Sequence, residues 1–189
     1  MSLKLFRSTG YSSFLVPGEA RLAPHPGWLV LAVSAWIGTA CNLALWGELG
    51  GGRGAASVLH AIAQGLFAAG ASGALLSLLA WRRTLKPAAT LLLLVAALAA
   101  CGSWVQATPA TSDIFAKGLG AFSFPSWAGL LRWQVPAMLV VLALAPAVWL
   151  WNTQLRRLPG PRQMAANVIG IAIALAVMAG SATLLSVLP

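Results

Sequence analysis

LSLLAWRRTLKPAATLLLLVAALAAC, residues 76–101, decides the fold of this chain. Two apolar runs meet at Trp81-Arg82-Arg83-Thr84-Leu85-Lys86-Pro87. All the cations of the stretch lie in that connection and none in the runs beside it. Pro87 has a fixed φ and no N–H to contribute, which suits the first turn of a helix. The stretch therefore predicts a helical hairpin, two antiparallel helices joined by a tight turn. Lys and Arg gather on the cytoplasmic side of membrane proteins, so the hairpin predicts two membrane spans with their shared turn inside.

The same pattern continues outward from the hairpin. Apolar runs at about 27–46, 55–81, 87–105, 131–151 and 164–188 each approach the roughly 20 residues that a helix needs to cross the hydrocarbon core. Pro26 precedes the first, and Trp28 and Trp46 stand at its ends, where aromatic belts lie. Gly47–Gly54 (GELGGGRG) reads as a flexible loop. Pro136 and Pro146 fall inside the fourth run and predict kinks. Residues 1–26 form a polar arm without the long apolar stretch of a signal peptide. Its patch from Tyr11 to Val16 fits an interfacial segment or disorder. Residues 106–130 form the one long connection. Pro109 and Pro125 argue against a continuous helix there, while Phe115, Phe122, Phe124 and Trp127 predict a short amphipathic piece at the membrane surface.

Composition agrees. The chain is 59% hydrophobic and 8% charged, against about 25% charged residues in soluble domains. Mean hydropathy is +0.84. The formal charge of +9 does not indicate nucleic acid, because the cations flank spans and form no stripe or nucleic-acid motif. Anionic lipid head groups are the expected partners. Cys41 and Cys101 both fall within spans, where free Cys behaves as a small hydrophobe. The fold class predicted is an all-α integral membrane bundle of five helices.

Orientation follows from charge. Of the twelve Lys and Arg, Lys4, Arg7, Arg21, Arg82, Arg83, Lys86, Arg156, Arg157 and Arg162 share one side if the N-terminus is inside. Arg53, Lys117 and Arg132 fall on the other. An odd number of spans then puts the C-terminus outside. Helices in lipid associate through small residues. Ala69 and Gly73 offer such a face in the second span, Ala96 and Ala100 in the third, and Ala172, Ala176 and Gly180 in the fifth.

Polar residues inside a membrane are costly and are functional candidates by default. Asn42 lies near the outer end of the first span, where it is either an interhelical hydrogen-bond donor or a substrate contact. His60 and Gln64 share one face of the second span. They form either a lipid head-group or proton site or a plain helix contact. Gln134 and Asn167 complete the inventory. No Asp, Glu, Lys or Arg stands mid-span, which weakens ion-coupled transport. Two isolated His and two buried Cys make no metal ligand set. GELGGGRG lacks the Lys-Ser/Thr ending of a phosphate loop. No Ser or Thr has a base placed to activate it, so the chain by itself predicts no covalent catalysis.

Three stretches resemble a known family. Arg21–Trp46 (RLAPHPGWLVLAVSAWIGTACNLALW) is similar to the first span of lipid A phosphoethanolamine transferases, with the Asn-x-x-x-Trp ending at Asn42 and Trp46. Leu76–Cys101 is similar to that family's second hairpin, with its Leu-Lys-Pro turn at Leu85, Lys86 and Pro87. The stretch Gln134–Ser181 follows the same order of span, basic turn and span. The resemblance implies the N-terminal membrane domain of a transferase in the bacterial inner membrane. In that family a periplasmic alkaline-phosphatase-like domain carries zinc and a Thr nucleophile. It moves phosphoethanolamine from phosphatidylethanolamine to lipid A. The present residues include neither that nucleophile nor those zinc ligands, so the implied role is anchoring and lipid presentation, without turnover by this chain alone. Between spans three and four the family carries Asn, Thr and Glu at set spacings. Here only Asp113 is kept, and Asp113 and Lys117 are the remaining head-group candidates. The competing reading is a solvated loop charge pair, which weighs more than a head-group contact. The alternative to the family reading is a small stand-alone integral protein, a binding or assembly subunit, or a truncated inactive relative.

Overall fold

The computed structural model describes residues 24–51, 54–81, 83–106, 133–153, 155 and 159–187. The expected arm up to residue 23 and the segment 107–132, with Asp113 and Lys117, lie outside them. Every regular element among the described residues is helical: α1 Pro26–Thr39, α2 Leu43–Gly51, α3 Ala55–Leu78, α4 Leu85–Gln106, α5 Gln134–Asn152 and α6 Gly160–Val187. The helices α3, α4, α5 and α6 are long and apolar enough to cross a membrane, and α1 with α2 makes a fifth crossing if that bent pair counts as one span.

The first span departs from the straight helix expected over 27–46. α1 stops at Thr39, and α2 sets off at 49° to it. At about 1.5 Å per residue α1 is roughly 21 Å long, short of the roughly 30 Å hydrocarbon core. Local chemistry explains the break. The Thr39 hydroxyl donates back to the Ala35 carbonyl at 2.7 Å, a bond that tends to bend helices. Asn42 then begins a new helix, its Oδ1 accepting from the Leu45 N–H at 3.3 Å, as an N-cap does. The Trp46 indole donates to the Thr39 carbonyl at 3.0 Å, taking up an acceptor that the end of α1 leaves open. Helix α2 continues to Gly51, into the segment expected to be a loop.

The connection between α3 and α4 runs over 79–84, so that Leu85, Lys86 and Pro87, expected in the turn, already belong to the first turn of α4. Thr84 donates its hydroxyl to the Leu79 carbonyl at 2.7 Å, and Ala88 N–H bonds the Thr84 carbonyl at 2.9 Å. Leu29, Val33 and Ile37 of α1 pack with Leu76 of α3, Ala80 just beyond it, Leu85, Ala89 and Leu93 of α4, and Leu150 of α5. A second cluster joins Ala97 and Ala100 of α4 to Leu142 and Ala143 of α5; of the small pair expected on α4, Ala100 is used here, while Ala96 packs against the first cluster.

In α5, Pro146 is handled by a π-turn over Val140–Leu144. The Ala145 N–H reaches back five residues to the Val140 carbonyl. Pro146 has no N–H for the Leu142 carbonyl four residues before it. The Trp36 indole of α1 supplies the missing donor at 3.1 Å. A proline defect in one helix thus becomes a bond to another. Nearer the C-terminal end of α5, Lys86 of α4 donates to the Trp151 carbonyl at 3.1 Å and lies 5.8 Å from the Trp151 ring. Its cation thereby meets the negative end of α5. The Trp151 indole returns a bond to the Thr90 hydroxyl at 3.1 Å.

On α6 the expected small face proves to be the wrong one. Ala172, Ala176 and Gly180 are exposed, while Ala174 and Ser181 are buried. Residue 174 stands two positions, about 200°, round the helix from residue 172. The face chosen is the one where Gly170 and Ala174 let another backbone approach.

Candidate functional site

The site is built on α3, whose small residues admit two neighbours at once. Gly65 meets Gly38 of α1 backbone to backbone, so that a Cβ on either would collide with the other's carbonyl. Farther along, Gly73 faces Ser34 of α1 and Ala174 of α6. Gly70 faces the Ala174 carbonyl and Met178, and Ser77 faces Gly170. Residue numbers fall on α1 as they rise on α3, and again on α6. Both neighbours therefore run antiparallel to α3 and parallel to each other. Glycine in a helix costs about 1 kcal/mol relative to alanine; here it permits a spacing that no side chain would allow.

Between α1 and α6 lies a groove of about 870 Å³, floored by α3. The floor is Gly65, Ala69, Gly70, Gly73 and Ser77. Val30, Leu31 and Ser34 line one wall, and Ala166, Ile169 and Ile173 the other. The lining is predominantly apolar, and Leu31 (58% exposed) and Ile173 (60%) stand open at its rim. Ligand pockets commonly hold about 300–1,000 Å³. The Ser34 hydroxyl oxygen is buried with no hydrogen-bond partner.

One end of the groove is polar. His25, Arg162, Gln163 and Asn167 line it, beside Ala80 at the end of α3. His25 caps α1, its Nδ1 accepting from the Gly27 N–H at 3.1 Å. The Gln163 amide donates to the Ala80 carbonyl at 2.8 Å and to Asn167 Oδ1 at 2.9 Å, which locks α6 onto α3. The N-termini of α1 and α6 both open here, each with the positive end of its dipole. Among the described residues, the Lys and Arg are Arg83, Lys86 and Arg162, all at this end of the bundle. Glu48, the one described acid, lies on α2 near the other end.

Of the candidate residues from sequence, Asn167 lines the polar end of the groove, and Asn42, His60 and Gln64 lie outside it. Asn42 is engaged at both ends of its amide: besides capping α2, its Nδ2 donates to the Ala61 carbonyl of α3 at 2.8 Å. His60 and Gln64 lie one turn apart on α3; Gln64 is buried, and His60 is half-buried with its Nδ1 enclosed and without a hydrogen-bond partner. Asp113 and Lys117 are outside the described residues. Sequence reasoning missed His25, Arg162 and Gln163 as a cluster. A signal was available in Gly38, Gly65, Gly70 and Gly170, glycines placed where alanine is otherwise the rule. Among the described residues no three His, Cys, Asp or Glu come together as a metal site would require. No protein-family model, curated protein or solved structure matches the chain.

Proposed function

We propose that this chain is a membrane domain that holds a phospholipid in the groove between α1 and α6. The observation that carries this reading is the groove itself: apolar along its length, floored by glycine and alanine, open at its rim and polar at one end. A hydrocarbon chain has the shape and chemistry to lie on such a floor, and a head group has those to stay at the polar end.

The more specific form of the proposal is the anchoring and lipid-presenting domain of a lipid A phosphoethanolamine transferase in the bacterial inner membrane, N-terminus inside and C-terminus outside. It is supported by the Leu85-Lys86-Pro87 turn, by Asn42 and Trp46, and by the gathering of described cations at one end. Its contribution to catalysis is positional: it anchors the domain that carries the nucleophile beside the outer leaflet, where the donor lipid's head group lies. Zinc belongs to that other domain.

The test of lipid holding uses the purified chain in vesicles with a trace of phospholipid carrying a photoreactive acyl chain. Loose lipid is washed off in detergent before photolysis. Retained label is expected at Leu31, Leu66 and Ile173, and Ile173→Trp, which fills the rim, should lower it severalfold. Retained label spread equally over the outward-facing Leu91 and Leu144 removes the proposal. For the finer reading, this chain alone should transfer no phosphoethanolamine in liposomes, and turnover there defeats it. An in-frame continuation past codon 189 carrying a Thr nucleophile and zinc ligands supports it.

A further inference from the structure

Resting on the lipid-holding reading, we propose that the groove selects a diacyl phospholipid of net negative charge, its phosphate at the Arg162–His25 end and a chain along the floor of α3. The charge arrangement at that end is one-sided. Arg162 lines the groove, is exposed, and makes no hydrogen bond or ion pair with the described residues. Among the described residues no Asp or Glu lines the groove. A guanidinium at the level of lipid head groups with no partner among the described residues is suited to a phosphate, which it meets with two parallel N–H bonds.

The neighbouring groups add donors of the same sign. With Nδ1 of His25 accepting the Gly27 N–H, Nε2 is the ring nitrogen that carries a hydrogen in the neutral form. The α6 N-terminus turns the positive end of its dipole toward this end, whereas in the first turn of α1 Pro26 has no N–H and the Gly27 and Trp28 N–H groups are bonded to His25. Gln163 has both amide hydrogens committed to Ala80 and Asn167, so it fixes α6 in place and does not compete for the ligand. The mixture of donors and one cation disfavours a zwitterionic head, whose ammonium would lie in the same positive field. A free anion satisfies the polar end but leaves the apolar length of the groove empty. Amphiphilic character is what joins the two halves of the site.

The positive-inside rule places this end in the cytoplasmic leaflet, where anionic lipids attract basic residues. In the transferase reading, such a lipid is a resident ligand. It differs from the phosphatidylethanolamine donor, whose head group is used on the opposite side of the membrane.

The experiment repeats the retained-label assay with phosphatidylglycerol, phosphatidylcholine and phosphatidylethanolamine bearing the same photoreactive chain. Phosphatidylglycerol should be retained about fivefold better than either zwitterionic lipid, from one well-placed cation. Arg162→Gln should abolish that preference while the chain-dependent label at Leu66 persists. Arg83→Gln, a cation at the same end but outside the lining, should keep it. Equal retention of the three lipids at Leu66 overturns the head-group assignment and leaves lipid holding intact. No retained label in the groove with any lipid overturns lipid holding itself. Displacement of phosphatidylglycerol by millimolar inorganic phosphate alone overturns recognition of an amphiphile.

Discussion

Replacing Gly65 by Ala perturbs the closest crossing in the bundle. The added methyl would collide with the Gly38 carbonyl and come within 2.8 Å of Asn42 Nδ2. Neither neighbour can swing aside cheaply. One is backbone, and the other is held by the Ala61 carbonyl at 2.8 Å and by the Leu45 N–H at 3.3 Å. The α1 and α3 backbones must separate. Overpacking of this kind costs about 1–3 kcal/mol. Loss of the Asn42–Ala61 bond adds about 0.6–1.7 kcal/mol at the values measured between membrane helices. Better helix propensity of alanine returns up to about 1 kcal/mol. The net expectation is a loss of about 2 kcal/mol, roughly thirtyfold in the folded-to-unfolded ratio. The assay is unfolding of the purified chain by a denaturing detergent, followed by tryptophan fluorescence. Gly180→Ala is the control. It is exposed with no atom within 4 Å of the new methyl, and should be neutral or stabilising by up to about 1 kcal/mol. Identical midpoints for the two variants would refute the close approach of α1 to α3. A second arm sharpens the result: in an Asn42→Ala background, Gly65→Ala should cost less, because one of the two collisions is gone.

Three further outcomes follow from the hydrogen bonds. Trp36→Phe leaves the Leu142 carbonyl without its donor and should cost about 1 kcal/mol, whereas in a Pro146→Ala background, which supplies an N–H, the same change should cost much less; a double-mutant cycle of detergent unfolding with no coupling contradicts this. Asn42→Ala should speed amide hydrogen exchange over residues 43–46 and destabilise by about 1–2 kcal/mol, with Asn42→Asp recovering the capping part only; unchanged exchange would exclude a capping role. Single cysteines at Thr84 and Gly50, in a chain whose own two cysteines are replaced by Ala, should react with a membrane-impermeant maleimide from opposite sides, Thr84 from the cytoplasm; the reverse pattern would invert the proposed orientation.

Much of the architecture was legible because hydropathy and charge are local properties. The connection between α3 and α4, though it lies a few residues before the expected Thr84–Pro87, and the long helices α3, α4 and α6 needed only apolar length and punctuation by cations and proline. The break after Thr39 was not visible in the same way. Hydropathy runs unbroken from Trp28 to Trp46, and what ends α1 is a contest among Thr39, Asn42 and Trp46 for backbone groups. Asn42 attracted notice as a polar residue in an apolar run, yet its position three residues before Leu45 also marks a helix start. The groove was hidden for a different reason. Its alanines, isoleucines and valines match those that face lipid elsewhere, and only tertiary pairing separates the two sets. Glycine was the better guide, since Gly38, Gly65, Gly70 and Gly170 all mark close crossings. The guide is imperfect, as Gly180 has open space around it.

The shortness of α1 carries a mechanical consequence. A rod of roughly 21 Å, followed by one veering away at 49°, gives this side of the molecule less vertical reach than the 28-residue α6 opposite. Lipids beside it must compress while those around α6 need not, at a cost of fractions of a kcal/mol per ångström of mismatch. Membrane thickness thereby becomes a control variable: long, saturated acyl chains should strain the elbow at Ala40–Asn42, and thinner bilayers should relax it.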